Sequence, residues 1–243
     1  METQFDRERM LLPDEALAIL AGSHVAVFGV GGVGSFAAEA LARAGVGAIT
    51  LVDHDEVSLT NLNRQLVALH STLGQRKADV MAARIRDINP NCRVTALAVF
   101  YAPENREDFF SLGFDYIADC IDSTRSKLDL IETAISRGVP IISSMGTGNR
   151  LDPSKFRITD LSKTSGCPLA KVMRRELRQR GINHHTVLSS EELPLKPRKL
   201  PGQEDEMRTP PGSVSWTPPC AGMMIAGFIV QKLIEQAQSA EAE

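Results

Sequence analysis

The sequence predicts an α/β fold with a mostly parallel sheet and helices on both of its faces. Short apolar runs of strand length alternate with amphipathic runs of helix length between residues 24 and 144. This alternation is typical of parallel strands that are joined by right-handed helical crossovers. A glycine-rich turn, which follows the first of these strands and precedes a helix, supports the same fold class.

The first 144 residues contain five predicted strands and five predicted helices. The strands cover residues 24–28, 48–52, 93–99, 115–120 and 140–143. The helices cover residues 1–20, 35–44, 75–88, 104–111 and 124–137. Asn89-Pro90 ends the third helix because the residue before a proline avoids the helical conformation, and Gly138 ends the fifth.

After residue 147 the sequence predicts elements that extend the same sheet. They are strands at 156–161, 185–188 and 213–216, a helix at 169–179 and an apolar helix at 220–235. The segment 193–212 is rich in proline and charge, which predicts a mobile loop. We therefore expect a single domain over residues 1–243, with a core at 1–150 and a C-terminal extension at 151–243.

Bulk composition favours a cytoplasmic globular protein. Hydrophobic residues make up 43% of the chain, and a net charge of −3 gives no general attraction to nucleic acid. The N-terminus shows no signal peptide. The longest apolar stretch, 221–230, is shorter than the ~20 residues that a membrane-spanning helix needs. We therefore expect no integral membrane segment.

The four cysteines form no CxxC pair, which argues against a structural zinc site and a thioredoxin-type motif. Cys92 and Cys120 adjoin predicted strands and are expected in the core. Cys220 precedes the apolar helix and is expected to be packed. Cys167 follows Gly166 on an expected surface loop, which makes it the better candidate for a reactive thiol, although a structural role is the simpler interpretation.

The glycine-rich turn contains Gly29, Gly31, Gly32 and Gly34. Gly29 permits a tight turn, Gly31 lets the backbone approach a phosphate, and Gly34 allows close packing of helix and strand. Asp53 ends the second strand, where its carboxylate can accept hydrogen bonds from a ribose. A glycine-rich turn with no ligand is the alternative interpretation. The combination favours a Rossmann-like fold that binds an adenosine-containing nucleotide.

A polar cluster follows the second strand and favours a nucleoside triphosphate over a dinucleotide as the ligand. It consists of Asp55, Asn61, Asn63, Arg64 and Gln65, with Lys77 at the start of the next helix. A triphosphate needs cations and amides that neutralise its charge and polarise the phosphorus under attack, whereas an NAD site has little use for them. An NAD-dependent dehydrogenase and a non-catalytic nucleotide-binding scaffold are therefore less favoured.

Asp122 follows a predicted strand at the carboxyl end of the sheet, where ligands of such folds lie. A carboxylate at this position can hold Mg²⁺ through oxygen ligation. Taken alone, Asp122 would be interpreted as a solvated surface residue. In order with the preceding cluster, it favours a site for ATP and Mg²⁺.

These motifs together resemble the ATP-binding signature of the E1-like ThiF/MoeB superfamily. The resemblance rests on the glycine turn, Asp53-His54-Asp55, the run 61–65, Lys77 and Asp122-Ser123, in this order. It implies an adenylating enzyme in which Arg64, Lys77 and Asp122 support adenylyl transfer. It also implies a homodimer in which Arg9 reaches the ATP of the partner subunit.

Further motifs resemble the tRNA threonylcarbamoyladenosine dehydratase branch of this superfamily. They are 38–43 with 45–47, 88–90, 160–164, 168–170, 211–213 and 221–222. This resemblance implies that the extension 151–243 binds substrate, and that ATP activates the carboxylate of N6-threonylcarbamoyladenosine in tRNA before ring closure expels AMP. The alternative is adenylation of the C-terminus of a ubiquitin-like sulfur-carrier protein, with a possible sulfur-transfer partner.

A basic helix offers a surface for tRNA despite the acidic total charge. Its cations include Lys171, Arg174, Arg175 and Arg178, and phosphate contacts from such residues would give salt-sensitive affinity. A solvated helix face is the alternative interpretation of the same pattern. The pair His184-His185 is expected at the same edge of the protein.

Overall fold

A seven-stranded sheet forms the centre of the computed structural model, which describes residues 2–200 and 210–241. The strands are β1 His24–Phe28, β2 Ala48–Val52, β3 Arg93–Leu97, β4 Tyr116–Asp119, β5 Ile141–Ser144, β6 Phe156–Asp160 and β7 Thr186–Ser190. Their order is β3-β2-β1-β4-β5-β7-β6, and all neighbouring pairs are parallel except β6 with β7. The predicted mostly parallel, Rossmann-like sheet is confirmed.

Two layers of helices cover the sheet. The helices are α1 Asp14–Gly22, α2 Gly34–Arg43, α3 Lys77–Ile88, α4 Arg106–Phe110, α5 Thr124–Ser136, α6 Pro168–Gln179 and α7 Thr217–Glu241. Side chains of α1, α2, α3 and α7 pack in one apolar cluster, and side chains of α4, α5 and α6 pack in the other. Because both faces are covered, β1, β2 and β4 are apolar and buried along nearly their whole length.

The sequence prediction is wrong for most of the first helix and for one whole strand. The first helix begins only at Asp14, after Pro13, and residues 4–11 form turns. Residues 213–216 form no strand. The Ser213 carbonyl accepts a hydrogen bond from Asn63, and the Trp216 indole donates to the Leu151 carbonyl, so side-chain contacts rather than a ladder hold this segment.

The segment that was predicted to be a mobile loop lies partly outside the described residues, which omit 201–209. Both described flanks are tied to Asn149. Leu195 N–H donates to the Asn149 carbonyl, and Asn149 exchanges hydrogen bonds with Gly212 through its backbone N–H and its side-chain oxygen. The flanks of the segment are therefore held beside the carboxyl end of β5.

Helix α7 contains one stretch, Thr217–Gln238, that is long and apolar enough to cross a membrane. This is weak support for a membrane span, because 44% of its most apolar window is buried in the protein. A Cβ atom at Gly222 would lie 2.3 Å from the Val33 carbonyl oxygen, so α7 packs directly on the start of α2. At Gly227 of the same helix, by contrast, no atom of the described residues lies within 4 Å of a Cβ built there.

Candidate functional site

A cleft of about 400 Å³ lies at the carboxyl ends of β1, β2 and β4. It is lined by nearly all residues that the sequence predicts to bind ATP or support its reaction: Gly29, Gly31, Gly32, Asp53, Asp55, Asn61, Arg64, Gln65, Lys77 and Asp122. Gly34 and Arg9 are not among the lining residues. The cleft has the size of a small-molecule site and lies where the strand order reverses between β1 and β4.

The glycine turn is shaped by two close backbone approaches. Gly29 has φ +87°, and a Cβ atom there would lie 2.7 Å from the Cys120 carbonyl oxygen. At Gly34 a Cβ atom would lie 1.8 Å from the Gly29 carbonyl oxygen, so α2 can start here only because Gly34 has no side chain. Asp53 holds the turn from β2, since its Oδ2 accepts a hydrogen bond of 2.6 Å from Val30 N–H.

Gly31 differs from these two glycines because it faces free space. Among the residues that the structure describes, the only heavy atom within 4 Å of a Cβ built at Gly31 is Gln65 Nε2, at 3.8 Å. No side chain caps the N-terminus of α2, and Gly32 and Val33 line the cleft beside it. Unpaired N–H groups and the positive end of the helix dipole favour an anion at such a place.

Two cations stand on the opposite wall. Lys77 is buried and forms an ion pair of 2.7 Å with Asp55. Burial opposes ionisation of Asp55, but the hydrogen bond and charge of Lys77 outweigh it and lower the Asp55 pKa. Arg64 donates to the Thr60 carbonyl and to Asn63, and no carboxylate of the described chain forms an ion pair with it. Burial lowers the pKa of Arg64, and an anion in the cleft would relieve this cost.

Two amides add unused hydrogen-bonding capacity to the cleft. Gln65 is buried, and its Oε1 atom has no hydrogen-bond partner in the part of the chain that the structure describes. Asn61 is also buried, and its Oδ1 atom accepts from Ser58 N–H at 3.1 Å. A buried acceptor without a partner is costly, so a ligand hydroxyl or amine at Gln65 would be stabilising.

Asp122 has the character of a magnesium ligand. It is exposed, it lines the cleft, and it makes no hydrogen bond or ion pair to another described residue. The ligand atoms of Asp53, His54 and Asp55 also lie within 4.8 Å of one another. Asp53, however, accepts N–H groups on both oxygens, and Asp55 is paired with Lys77. A free carboxylate beside bound phosphates suits Mg²⁺ better than this occupied cluster.

Several lining residues were missed by the sequence analysis. They are Val99, Phe100 and Tyr101 after β3, Thr147 and Gly148 after β5, the segment 211–213, and Pro218 at the start of α7. The first two groups follow strands that end at the same edge of the sheet as the cleft. The rule that ligands bind at the carboxyl ends of parallel strands would have found them. Residues 211–213 carry no such signal, because they reach the cleft through the contact between Gly212 and Asn149.

Arg150, which the sequence analysis also missed, supports the side of the cleft that Thr147 and Gly148 form. It is 2% exposed, its Nε donates to the Gly146 carbonyl, and its own carbonyl accepts from the Thr217 hydroxyl. Its Nη1 atom has no partner among the described residues. Arg150 therefore ties the loop that carries Thr147 and Gly148 to the first residue of α7.

A buried polar network below the cleft was also missed. Lys127 and Asp119, both fully buried, form an ion pair of 2.8 Å. The Ser143 hydroxyl donates to Asp119 at 2.6 Å, and His185 Nε2 lies 2.8 Å from the Ser143 oxygen. His185 is therefore part of the core, and its expected position at a tRNA-facing edge is wrong. Burial and, to a smaller extent, the charge of Lys127 lower the pKa of His185 to about 4.

The four basic residues predicted on α6 have different environments. Lys171 and Arg178 are exposed and make no ion pair within the described chain, whereas Arg175 pairs with Glu176. Arg174 donates to the carbonyls of Leu161 and Thr164, so its guanidinium supports the loop before α6. The helix presents an uneven basic face rather than four free cations.

Arg9 lies outside the cleft of its own chain. Its guanidinium pairs with Asp14 at 3.1 Å and with Asp6 at 3.5 Å, and its side chain is half-exposed. The expected role of Arg9 at the ATP of a partner subunit stays a prediction.

The thiols are poorly placed for nucleophilic chemistry. Cys167 is 5% exposed and packs in the apolar cluster of α5 and α6, so its expected position on a surface loop is wrong. Burial raises the pKa of Cys92 to about 11 and the pKa of Cys120 to about 12. Cys220 is half-buried within α7. Protonated, buried thiols are weak nucleophiles.

A family model described as "ThiF family" matches residues 5–242. The chain belongs to the ThiF family. Its membership agrees with the glycine turn and with the polar cluster that the cleft brings together. The match extends over the C-terminal extension, so it includes β6, β7, α6 and all of α7.

Known relatives match nearly the whole chain. The tRNA threonylcarbamoyladenosine dehydratase of Bacillus subtilis is 47% identical in an alignment of 241 positions, which covers 96% of this chain and 95% of that protein. Two crystal structures show the Escherichia coli tRNA N6-threonylcarbamoyladenosine dehydratase, one with AMP and one with ATP. The protein in both is 37% identical in sequence to the present chain. They superpose with TM-scores of 0.88 and 0.87, and each comparison covers 97% of this chain and 96% of the other.

Proposed function

We propose that this protein is an ATP-dependent tRNA threonylcarbamoyladenosine dehydratase. It activates the carboxylate of N6-threonylcarbamoyladenosine in tRNA as an adenylate and closes a ring with net loss of water. The identity with the B. subtilis enzyme over almost the full length of both chains carries this proposal. The cleft supports it, because a turn with free N–H groups, an unpaired arginine and a free carboxylate suit a magnesium triphosphate.

Each part of the cleft has a role in the adenylation step. The glycine turn and the start of α2 bind phosphate oxygens. Asp53 and Gln65 bind the ribose and the nucleotide atoms next to it. Arg64, Lys77 and Asn61 withdraw charge from the α-phosphate while the substrate carboxylate oxygen attacks it and pyrophosphate leaves. Asp122 would hold Mg²⁺, which supplies further neutralisation of the phosphate charge.

Ring closure then needs no protein nucleophile. The carbamoyl group of the same nucleoside attacks the activated carbonyl carbon, and AMP leaves with the former carboxylate oxygen. Because both groups belong to one molecule, proximity replaces covalent catalysis. The burial of Cys167 and the raised pKa values of Cys92 and Cys120 agree with a reaction that uses no thiol.

We place the tRNA on the C-terminal extension and a second copy of the chain beside the cleft. Lys171 and Arg178 on α6 supply free positive charge for phosphates. Exposed apolar side chains gather near the turn at residue 149, including Leu193 at 73% exposure, Leu195 and Trp216. Such a patch favours a homodimer, in which Arg9 completes the partner's site. The free cysteines favour a cytoplasmic location.

The acceptor dependence of AMP formation tests the proposed function. Purified protein is given Mg-ATP with tRNA that carries threonylcarbamoyladenosine, with the same tRNA lacking the modification, or with a sulfur-carrier protein that ends in Gly-Gly. We expect AMP only with the modified tRNA. AMP formation with the carrier protein instead would replace the proposal by sulfur-carrier adenylation.

A further inference from the structure

The buried network below the cleft is unusual in its composition. Lys127 on α5, Asp119 on β4 and Ser143 on β5 are fully buried, and His185 precedes β7 and is almost fully buried. Removing an ion pair from water costs several kcal/mol per charge, and an apolar pair of the same volume would often be at least as stable. The network is therefore a weak device for stability, and its geometry points to another role.

Both carboxylate oxygens of Asp119 accept hydrogen bonds. Its Oδ2 atom accepts from Lys127 and from the Ser143 hydroxyl, and its Oδ1 atom accepts from Ile121 N–H at 3.1 Å. The Ser143 hydroxyl has a single hydrogen, which Asp119 receives, so His185 Nε2 must carry a hydrogen and donate to Ser143. The network thus holds the Asp119 carboxylate in one orientation.

The residues that Asp119 orders lie on the cleft. Cys120, Ile121 and Asp122 line it directly after β4. The Cys120 carbonyl packs against Gly29 of the glycine turn, and Asp122 has no partner among the described residues that would fix its direction. The hydrogen bond from Ile121 N–H to Asp119 fixes the backbone directly before Asp122, and the Ser123 carbonyl directly after it accepts from Lys127 N–H.

We propose that Asp119 is a positioning residue, which fixes the turn 120–122 and thereby directs the Asp122 carboxylate toward the magnesium nucleotide. This inference rests on the role of Asp122 in the proposed function. Lys127, Ser143 and His185 act through Asp119 by keeping its carboxylate in one orientation. A partner that orients a metal ligand in this way typically contributes about 10- to 100-fold to metal affinity or activity.

Two double variants separate positioning from stability. Asp119→Asn with Lys127→Met removes both charges but keeps an oxygen that accepts the Ile121 N–H. Asp119→Leu with Lys127→Met removes both charges and that oxygen. Neither variant leaves an unpaired buried charge, so both are expected to fold, and thermal unfolding checks this.

The readouts are the dissociation constant of ATP by calorimetry, with Mg²⁺ and with EDTA, and kcat for AMP formation. We expect the Asn variant to keep the gain in ATP affinity that Mg²⁺ provides. We expect the Leu variant to lose it, with kcat lower by about tenfold or more. ATP affinity in EDTA should be the same in both variants, because the glycine turn and Arg64 are unchanged.

A double-mutant cycle with Asp122→Ala links the effect to that carboxylate. If Asp119 acts through Asp122, the Leu double variant causes no further loss when Asp122 is already alanine. Additive losses, or equal losses in the Asn and Leu variants, would overturn the inference. If Asp122→Ala alone leaves magnesium-dependent binding and kcat unchanged, the proposed role of Asp122 fails first, and the inference fails with it.

Discussion

Gly31 and Gly34 belong to one turn but have different functions: Gly31 leaves space for a phosphate, whereas Gly34 allows close packing of the backbone. Alanine substitutions at the two positions test this difference. Alanine at Gly31 has open space around its Cβ atom, so stability should stay the same or rise by up to about 1 kcal/mol. The same Cβ atom would keep a phosphate from the backbone N–H groups. Losing one hydrogen bond to a charged group costs about 1.5–3 kcal/mol, so ATP affinity should fall tenfold or more.

Gly34→Ala is the matched comparison. Its Cβ atom would overlap the Gly29 carbonyl, which should lower the free energy of unfolding by about 3 kcal/mol. Urea unfolding and calorimetric titration with ATP measure both quantities for both variants. If Gly31→Ala binds ATP as tightly as the unaltered protein, the phosphates do not lie at this turn.

His185 makes stability depend on pH in a defined window. Its pKa is lowered to about 4 by burial and by Lys127, against the opposing charge of Asp160. Between pH 6.5 and 4 the unfolded state therefore binds a proton that the folded state does not. Stability is complete above pH 6.5 and falls by about 3 kcal/mol as the pH drops through 4.

The variant His185→Gln isolates this contribution, because glutamine donates to Ser143 but does not titrate. We expect its unfolding free energy to depend less on pH between 6.5 and 4, while other groups titrate equally in both proteins. Denaturant unfolding at several pH values gives the two slopes. Identical slopes would mean that His185 binds a proton in the folded protein as readily as in the unfolded chain.

The sequence could predict single residues only where a local motif signals them. Gly29, Gly34 and Asp53 follow from their spacing, and their contacts agree with it. Asp119 and His185 could not be found in this way, because their network joins residues of β4, α5, β5 and the start of β7. Pairing over such separations leaves no periodic pattern in the sequence.

At the scale of elements, the contact between α7 and α2 makes a prediction about two glycines of one helix. Gly222→Ala would press a Cβ atom against the Val33 carbonyl and push α7 away from α2, which should cost about 1–3 kcal/mol. Because Pro218 of the same helix lines the cleft beside Gly32, ATP affinity should also fall. Thermal unfolding and ATP titration measure the two effects.

Gly227→Ala provides the control within the same helix. Its Cβ atom would meet no neighbour, and alanine favours the helix by about 1 kcal/mol over glycine. We expect this variant to be more stable and to bind ATP normally. Equal stability of the two variants would show that α7 does not depend on its contact with α2.

Elements were predictable where hydrophobic periodicity controls them. The strands from β1 to β7 were expected near their observed positions. In β1, β2, β4 and β5, burial on both faces gives the continuous apolar runs that make them recognisable. The segment 213–216 has the composition of a strand but is held by Asn63 and Leu151 instead. Such tertiary contacts override local propensity, and the sequence alone does not reveal them.

At the scale of the whole molecule, the proposed homodimer predicts complementation between two inactive variants. Arg9→Ala lacks the residue given to the partner, and Arg64→Ala lacks a residue of its own cleft. In a mixed dimer, the Arg9→Ala subunit keeps Arg64 and receives Arg9 from the other subunit. Equal mixing with subunit exchange should therefore restore about a quarter of the full activity. No recovery, despite demonstrated exchange, would place Arg9 outside the active site.

Adenylation of the nucleoside carboxylate is tested most directly by following a single oxygen atom. Modified tRNA whose threonylcarbamoyl carboxylate carries ¹⁸O is incubated with the protein and Mg-ATP, and the nucleoside and AMP are analysed by mass spectrometry. Adenylation predicts that the nucleoside loses one molecule of water and that the released AMP gains one ¹⁸O atom. Unlabelled AMP, or an unchanged nucleoside, would contradict activation of this carboxylate.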